Sequence, residues 1–166
     1  MLNQFLNQII PDQDNQSTVF NYLANAYQKK NLDQKVLVLI GNGSNGKTIF
    51  RQIIAKVFGD RILYCDPSTL ENFSNDPSLH HSHKDKLLMM NEFDNSIDTY
   101  LKIVSGDYHF HGLIVETNMI PDHQFDPGFL RRLSLIEFPN RLNISDQKYD
   151  LDSLANQLHD QIQSPL

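Results

Sequence analysis

Apolar positions along the chain follow two spacings. Leu2, Phe5, Leu6, Ile9 and Ile10 recur three and four residues apart, one face of an α-helix, and Pro11 ends the run. The polar stretch 12–16 reads as a turn, after which Ser17 or Thr18 can cap a second helix carrying Phe20, Leu23, Ala24 and Tyr27. Residues 35–40 are different: continuous, short and valine-containing, as expected of a strand buried on both faces of a parallel sheet. Residues 49–58 return to helical spacing and Gly59 closes them. Short apolar runs at 62–65, 87–90, 113–117 and 133–138 predict four more strands, the first of them ended by Asp66-Pro67. Helices are predicted over 97–104, terminated by Gly106, and over 151–162, while 68–86 are polar and loop-like with room for one short helix. No internal repeat and no long linker divides the chain. Strands alternating with helices predict an α/β fold, a mostly parallel central sheet flanked by helices. A helical N-terminal segment (1–33) precedes the remainder (34–166) and carries no chemistry of its own.

Composition narrows the class. The chain has 166 residues, about one domain, with 40% apolar and 20% charged residues. Its formal net charge of −6 disfavours a lone monomer that grips nucleic acid through a broad basic face. A single cysteine, Cys65, excludes an intramolecular disulfide and fits a reducing compartment. No apolar run approaches the ~18–20 residues of a membrane span, and the first residues lack a signal-peptide pattern. The expectation is a soluble intracellular protein with no membrane partner.

The strongest chemical signal is Gly41-Asn42-Gly43-Ser44-Asn45-Gly46-Lys47-Thr48, two glycines bracketing four residues and followed by Lys-Thr. A buried strand precedes it and a helix follows, the context a phosphate loop requires. Glycines let backbone N–H groups curl around phosphate oxygens, and the helix N-terminus adds partial positive charge. Lys47 is then expected at the β- and γ-phosphates of ATP and Thr48 on Mg²⁺. A glycine-rich turn that merely joins strand to helix is the bland alternative.

Such a loop needs a further acid for metal and water. Asn91-Glu92-Phe93-Asp94 follows the apolar run 87–90, on a strand expected to neighbour that of the loop. Glu92 is the candidate for polarising the attacking water, with Asn91 or Asp94 helping near Mg²⁺. Asn118, at the end of the run 113–117, suits a sensor of the γ-phosphate, though strand-end asparagines are more often turn formers. Arg131 and Arg132 precede the last strand, where an arginine can reach a neighbouring subunit's γ-phosphate or simply pair with Asp122 or Asp126. His80, His81 and His83 crowd one tetrapeptide, which is not a zinc-ligand spacing, and Cys65 reads as a small hydrophobe.

In order, the helical preface, the phosphate loop ending Asn45-Gly46-Lys47-Thr48, Met90-Asn91-Glu92, Lys102 to Asp107, Thr117-Asn118 with Pro121, and Gly128 to Arg132 resemble a superfamily 3 helicase. The nearest flavour is the helicase half of phage, plasmid and large-DNA-virus primase–helicases. The resemblance implies an AAA+-like P-loop ATPase that assembles into a ring, commonly a hexamer, and moves along single-stranded DNA during replication in the host cytoplasm or at a replication site. It puts Lys47 and Thr48 in the first nucleotide motif, Glu92 in the second, Asn118 in the sensor and Arg132 as a finger acting in trans, with Arg131 its neighbour. It places Lys102 and the Gly106-Asp107 turn in the family's DNA-facing motif. Beside them Tyr108, His109, Phe110 and His111 can touch phosphates or stack on bases, with His109 and His111 the candidates for DNA contact, or can simply form a turn that joins a helix to the sensor strand.

Three departures accompany it. The family's β-hairpin after the Gly106-Asp107 turn is cut to residues 108–112, Asn91 replaces an acid often found before the glutamate, and no primase or origin-binding segment precedes the ATPase. The last points to a separate primase or origin-binding partner. Two other readings stay open: a nucleotide-dependent assembly or regulatory ATPase that does not unwind DNA, and a small P-loop kinase.

Overall fold

The first turn of the second helix begins where the polar stretch 12–16 was expected to loop. In the computed structural model, which describes residues 1–29, 35–43, 45–76, 85–91, 97, 110–120, 127–142 and 148–163, α1 is Leu2–Ile9 and α2 is Gln13–Tyr27. The Asp12 carboxylate accepts the Asn15 N–H at 2.9 Å and so caps α2. Gln16 is buried, and its amide donates to the Ile10 carbonyl at 2.7 Å and to Asn7 Oδ1 at 2.9 Å. These bonds turn a polar run into a helix start, which neither Ser17 nor Thr18 provides.

Then follow β1 (Val36–Ile40), α3 (Lys47–Phe58), a single 3₁₀ turn (Gly59–Arg61), β2 (Ile62–Tyr64), α4 (Pro67–Asn75), β3 (Leu87–Met90), β4 (Gly112–Thr117), α5 (Pro127–Leu130), β5 (Leu133–Glu137) and α6 (Leu151–Gln163). The Asp66-Pro67 pair does more than end β2. Asp66 caps α4 by accepting the Thr69 N–H at 2.9 Å, and Pro67 fills the first helical position, where no N–H is needed. The helix expected over 97–104 lies outside the described residues, apart from Ile97, which is buried.

The five strands are parallel in the order β2-β3-β4-β1-β5. β4 therefore separates β3 from β1, correcting the expectation that the strand ending at Asn91 adjoins the phosphate-loop strand. At ~4.8 Å per strand step, Asn91 starts about 10 Å to the side of β1. Alternation within β1 feeds two cores. Leu37 and Leu39 pack under α1, α2, α3 and α6, with Phe50, Ile53 and Phe138, while Val36 and Val38 meet Leu70, Phe110 and Phe129 on the other face.

The N-terminal helices belong to the first of those cores, since Leu2, Phe5, Leu6 and Ile9 are each at most 2% exposed within it. The Leu2 N–H donates to Gln157 of α6 at 2.9 Å. Tyr22 anchors α2 to the N-terminal edge of the sheet: its hydroxyl accepts the Leu113 N–H at 2.9 Å and lies 2.9 Å from the Lys35 and Leu113 carbonyls. A Cβ at Gly112 would come within 2.7 Å of that hydroxyl, so only glycine admits the tyrosine.

Candidate functional site

The phosphate loop leaves the C-terminal end of β1 and runs into α3, as its sequence demands. Gly43 and Gly46 take φ of +61° and +90°, conformations that carry a steric cost for residues with a Cβ. The Gly41 N–H donates to Thr117 O at 3.2 Å, tying the start of the loop to β4. The Asn45 amide is buried, 3.4 Å from the Phe138 carbonyl, and fills the space beside Gly41. Ser44 lies outside the described residues.

Lys47 opens α3 with only 4% of its surface exposed, and its ammonium donates to the Gly41 carbonyl. Burial lowers its pKa, because desolvation penalises the charged form, and the negative charge of Glu116 works against that. Thr48, next on the helix, is exposed. A hollow of about 200 Å³ opens between them, walled by Gly43, Lys47, Thr48, Glu116 and Asn118. A larger one of about 590 Å³ adjoins it, shares Gly43, Asn45 and Asn118, and reaches Glu137 and Arg141. Asn118 therefore faces the loop from the end of β4, where a polar group can meet a bound phosphate or water.

Glu116 was not among the residues singled out from the sequence. It lies two residues before Asn118, on the same face of β4, and points over the first turn of α3. Its Oε1 is 3.5 Å from Thr48 Oγ1, and its Oε2 is 3.4 Å from Arg51 Nε. The other end of Arg51 donates to Asn91 Oδ1 at 2.9 Å. One arginine on α3 thus links the ends of β3 and β4 beside the loop. The available signal was an acid inside an otherwise apolar strand run, one strand period before a candidate sensor.

Other candidates lie elsewhere. Arg131 is exposed and Arg132 half-buried at the N-terminal edge of the sheet, where the Arg132 carbonyl accepts the Val36 N–H at 2.8 Å. Five residues of strand separate that edge from the phosphate loop, roughly 17 Å. His111 stands at the same edge but is only 6% exposed, and Phe110 is 1% exposed in the second core. The expectation that His111 contacts DNA and Phe110 stacks on bases is therefore corrected, since neither ring presents a face to a ligand. Burial lowers the His111 pKa, Arg61 and Lys29 lower it further, and Asp85, 3.7 Å from Nε2, opposes them. Glu92, Asp94, Lys102, Tyr108, His109 and the histidines at 80–83 lie outside the described residues. Among those described, no group of three His, Cys, Asp or Glu side chains could hold a metal. Cys65 is half-buried with its thiol pushed up to about 12, chiefly by burial, an inert group that fits its reading as a small hydrophobe.

With this geometry the chain is similar to solved structures of the NrS-1 C-terminal region. One apo form matches 98% of the chain with a TM-score of 0.69 at 16% identity, and another with 0.62 at 18% identity. The fold is that of a P-loop NTPase, a parallel five-stranded sheet whose β1 runs through the glycine loop into α3. The chain spans 43% of the length of each of those two structures. A structure of Rhizobiales Trip13 matches 84% of the chain and 66% of its own length, at 19% identity and a TM-score of 0.48. No protein-family model matches the sequence, and no curated protein matches it. Among the described residues no helix is long and apolar enough to cross a membrane.

Proposed function

We propose that this chain is the ATP-hydrolysing motor domain of a superfamily 3-type DNA helicase. The observation that carries the reading is the loop itself. Lys47 and Thr48 open α3 at the C-terminal edge of a parallel sheet, and Asn118 closes the same 200 Å³ hollow from the next strand. That hollow suits the terminal phosphates of ATP. Mg²⁺ fits the donors present, because the Thr48 hydroxyl is exposed beside the Glu116 carboxylate and both are hard oxygen ligands. When bound, the ion neutralises charge on the β- and γ-phosphates.

The residues of the chain do the rest. Lys47 leaves the Gly41 carbonyl for phosphate oxygens, exchanging a neutral acceptor for a charged one. Asn118 and Glu92 orient a water against the γ-phosphorus. Its oxygen bonds to phosphorus as the bond to the β–γ bridging oxygen breaks, Glu92 receives the proton, and ADP and phosphate leave. Arg132 stands about 17 Å along the sheet from its own loop, beyond the reach of one side chain, so a phosphate that it meets belongs to another subunit. This supports hydrolysis between subunits; the ring and the single-stranded DNA in its channel are what the motor reading adds.

The burial of Phe110 and His111 favours a second reading, an assembling ATPase that does not unwind DNA, because it removes two of the groups expected to touch bases. Both readings are tested by phosphate release with and without single-stranded DNA, using wild type, Arg132→Ala, Lys47→Met and an equal mixture of the two variants. The motor reading expects DNA stimulation, two inactive variants and partial recovery on mixing. A monomer in ATP and Mg²⁺ with full activity in Arg132→Ala would overturn the inter-subunit site. Hydrolysis indifferent to DNA, with no strand separation, would leave the second reading.

A further inference from the structure

The carboxylate nearest the loop is Glu116, and its surroundings leave it short of partners. Its side chain is 17% exposed, yet Oε2 has essentially no solvent contact and no hydrogen bond, only the ion pair to Arg51 Nε at 3.4 Å. Oε1 meets Thr48 Oγ1 at 3.5 Å, at the outer limit of hydrogen bonding. Oε2 is therefore committed to Arg51, and Oε1, held only by the long contact to Thr48, is the oxygen with room for a further ligand. The spacing indicates which kind: adjacent oxygens around an octahedral Mg²⁺, each ~2.1 Å from the ion, lie about 3.0 Å apart. Half an ångström of side-chain adjustment converts the observed Thr48–Glu116 pair into two neighbouring ligands.

Asn91 is held by the same arginine. It closes β3, where its amide accepts from Arg51 and brings no negative charge to the site. Arg51 spans both groups, so the end of β3 acts as a brace and the charge sits one strand closer to the loop, on β4. We infer that Glu116 is the carboxylate that holds the divalent cation beside Thr48, in place of an acid at position 91, with Arg51 as its positioning residue. The inference rests on the ATP-and-Mg²⁺ reading of the loop.

The test is binding rather than turnover. A fluorescent ATP analogue is titrated against the whole chain in EDTA and in Mg²⁺, and Mn²⁺ binding to the nucleotide complex is followed by electron paramagnetic resonance. Wild type should gain affinity with Mg²⁺. Glu116→Gln keeps the shape and can turn its amide oxygen to Arg51, and it removes a negative charge beside the phosphates, so its EDTA affinity should hold or rise while its Mg²⁺-dependent gain and Mn²⁺ affinity fall ~10–100-fold. Adding Asn91→Asp to Glu116→Gln should restore part of that gain by returning a carboxylate to the neighbouring strand end. Glu116→Asp, which retains the charge, is the second single variant and should keep part of the gain, whichever of the two folds better. An unchanged Mg²⁺ gain in Glu116→Gln, or equal losses in EDTA and Mg²⁺, would overturn the assignment of Glu116 alone. No nucleotide binding by wild type in either condition would overturn the ATP reading itself.

Discussion

Replacing Gly46 by alanine tests how the N-terminal helix supports the phosphate loop. Gly46 sits at φ +90°, so an alanine there carries the left-handed penalty of roughly 1–2 kcal/mol. Its Cβ would also run into the Ile9 side chain of α1 and come within 3.1 Å of Leu142 Cδ1. Ile9 is fully buried, so it has little room to yield, and overpacking of this kind costs about 1–3 kcal/mol. The two effects make roughly 2–5 kcal/mol, a large share of the ~5–15 kcal/mol that holds a typical domain. At ~2–4 °C per kcal/mol for a chain of this size, the melting temperature should fall by about 4–20 °C. Denaturant unfolding of wild type, Gly46→Ala, Ile9→Ala and the double variant separates the two causes. Ile9→Ala alone should cost ~2–5 kcal/mol by opening a cavity. In its background the added methyl has space, so Gly46→Ala should then cost only the backbone part, a coupling of roughly 1–3 kcal/mol. Additive costs, agreeing within ~0.5 kcal/mol, would refute the contact between α1 and the loop.

Lys47→Met removes a buried charge while keeping much of the volume, so the melting temperature in buffer should change little. The nucleotide-dependent stabilisation, about 2.7 kcal/mol at a hundredfold excess over Kd in wild type, should vanish. A shift equal to wild type would remove Lys47 from the phosphate site. For His111, burial sets the folded pKa below the ordinary 6.5, so the unfolded chain binds the proton more readily in the interval between the two values. This contribution to stability is complete above pH 6.5 and is lost as the pH falls below it. Melting temperatures between pH 5 and 7.5 should show that slope in wild type and a shallower one in His111→Gln; identical slopes would refute it.

The phosphate loop was legible because each position answers a local demand: backbone turned to positive φ at Gly43 and Gly46, a cation and a hydroxyl at the first helical turn. The strands were legible too, with β3 matching the run 87–90 and β1 the run 35–40 to within a residue. The start of α2 was not, because a cap depends on which oxygen wins. Asp12 engages Asn15 and Gln16 reaches back to α1, whereas Ser17 and Thr18 lie inside the helix. The aromatic-histidine segment misled for a related reason. A short polar-aromatic run reads as surface, yet Phe110 fills a core and His111 is buried with Asp85 3.7 Å from its ring.

By itself the sequence determined where the five strands and most of the described helices run, and that one strand end carries a phosphate loop, since periodicity and glycine placement act within a few residues. Only the tertiary structure decided the strand order, and with it that β4 rather than β3 lies beside the loop. That order turned Glu116 from an acid in a strand into a wall of the site, and let Arg51 join it to Asn91 across three elements. It also brought Ile9 against Gly46 and set Arg132 at the far edge of the sheet. Such partnerships come from pairing residues dozens of positions apart, and no local spacing encodes them.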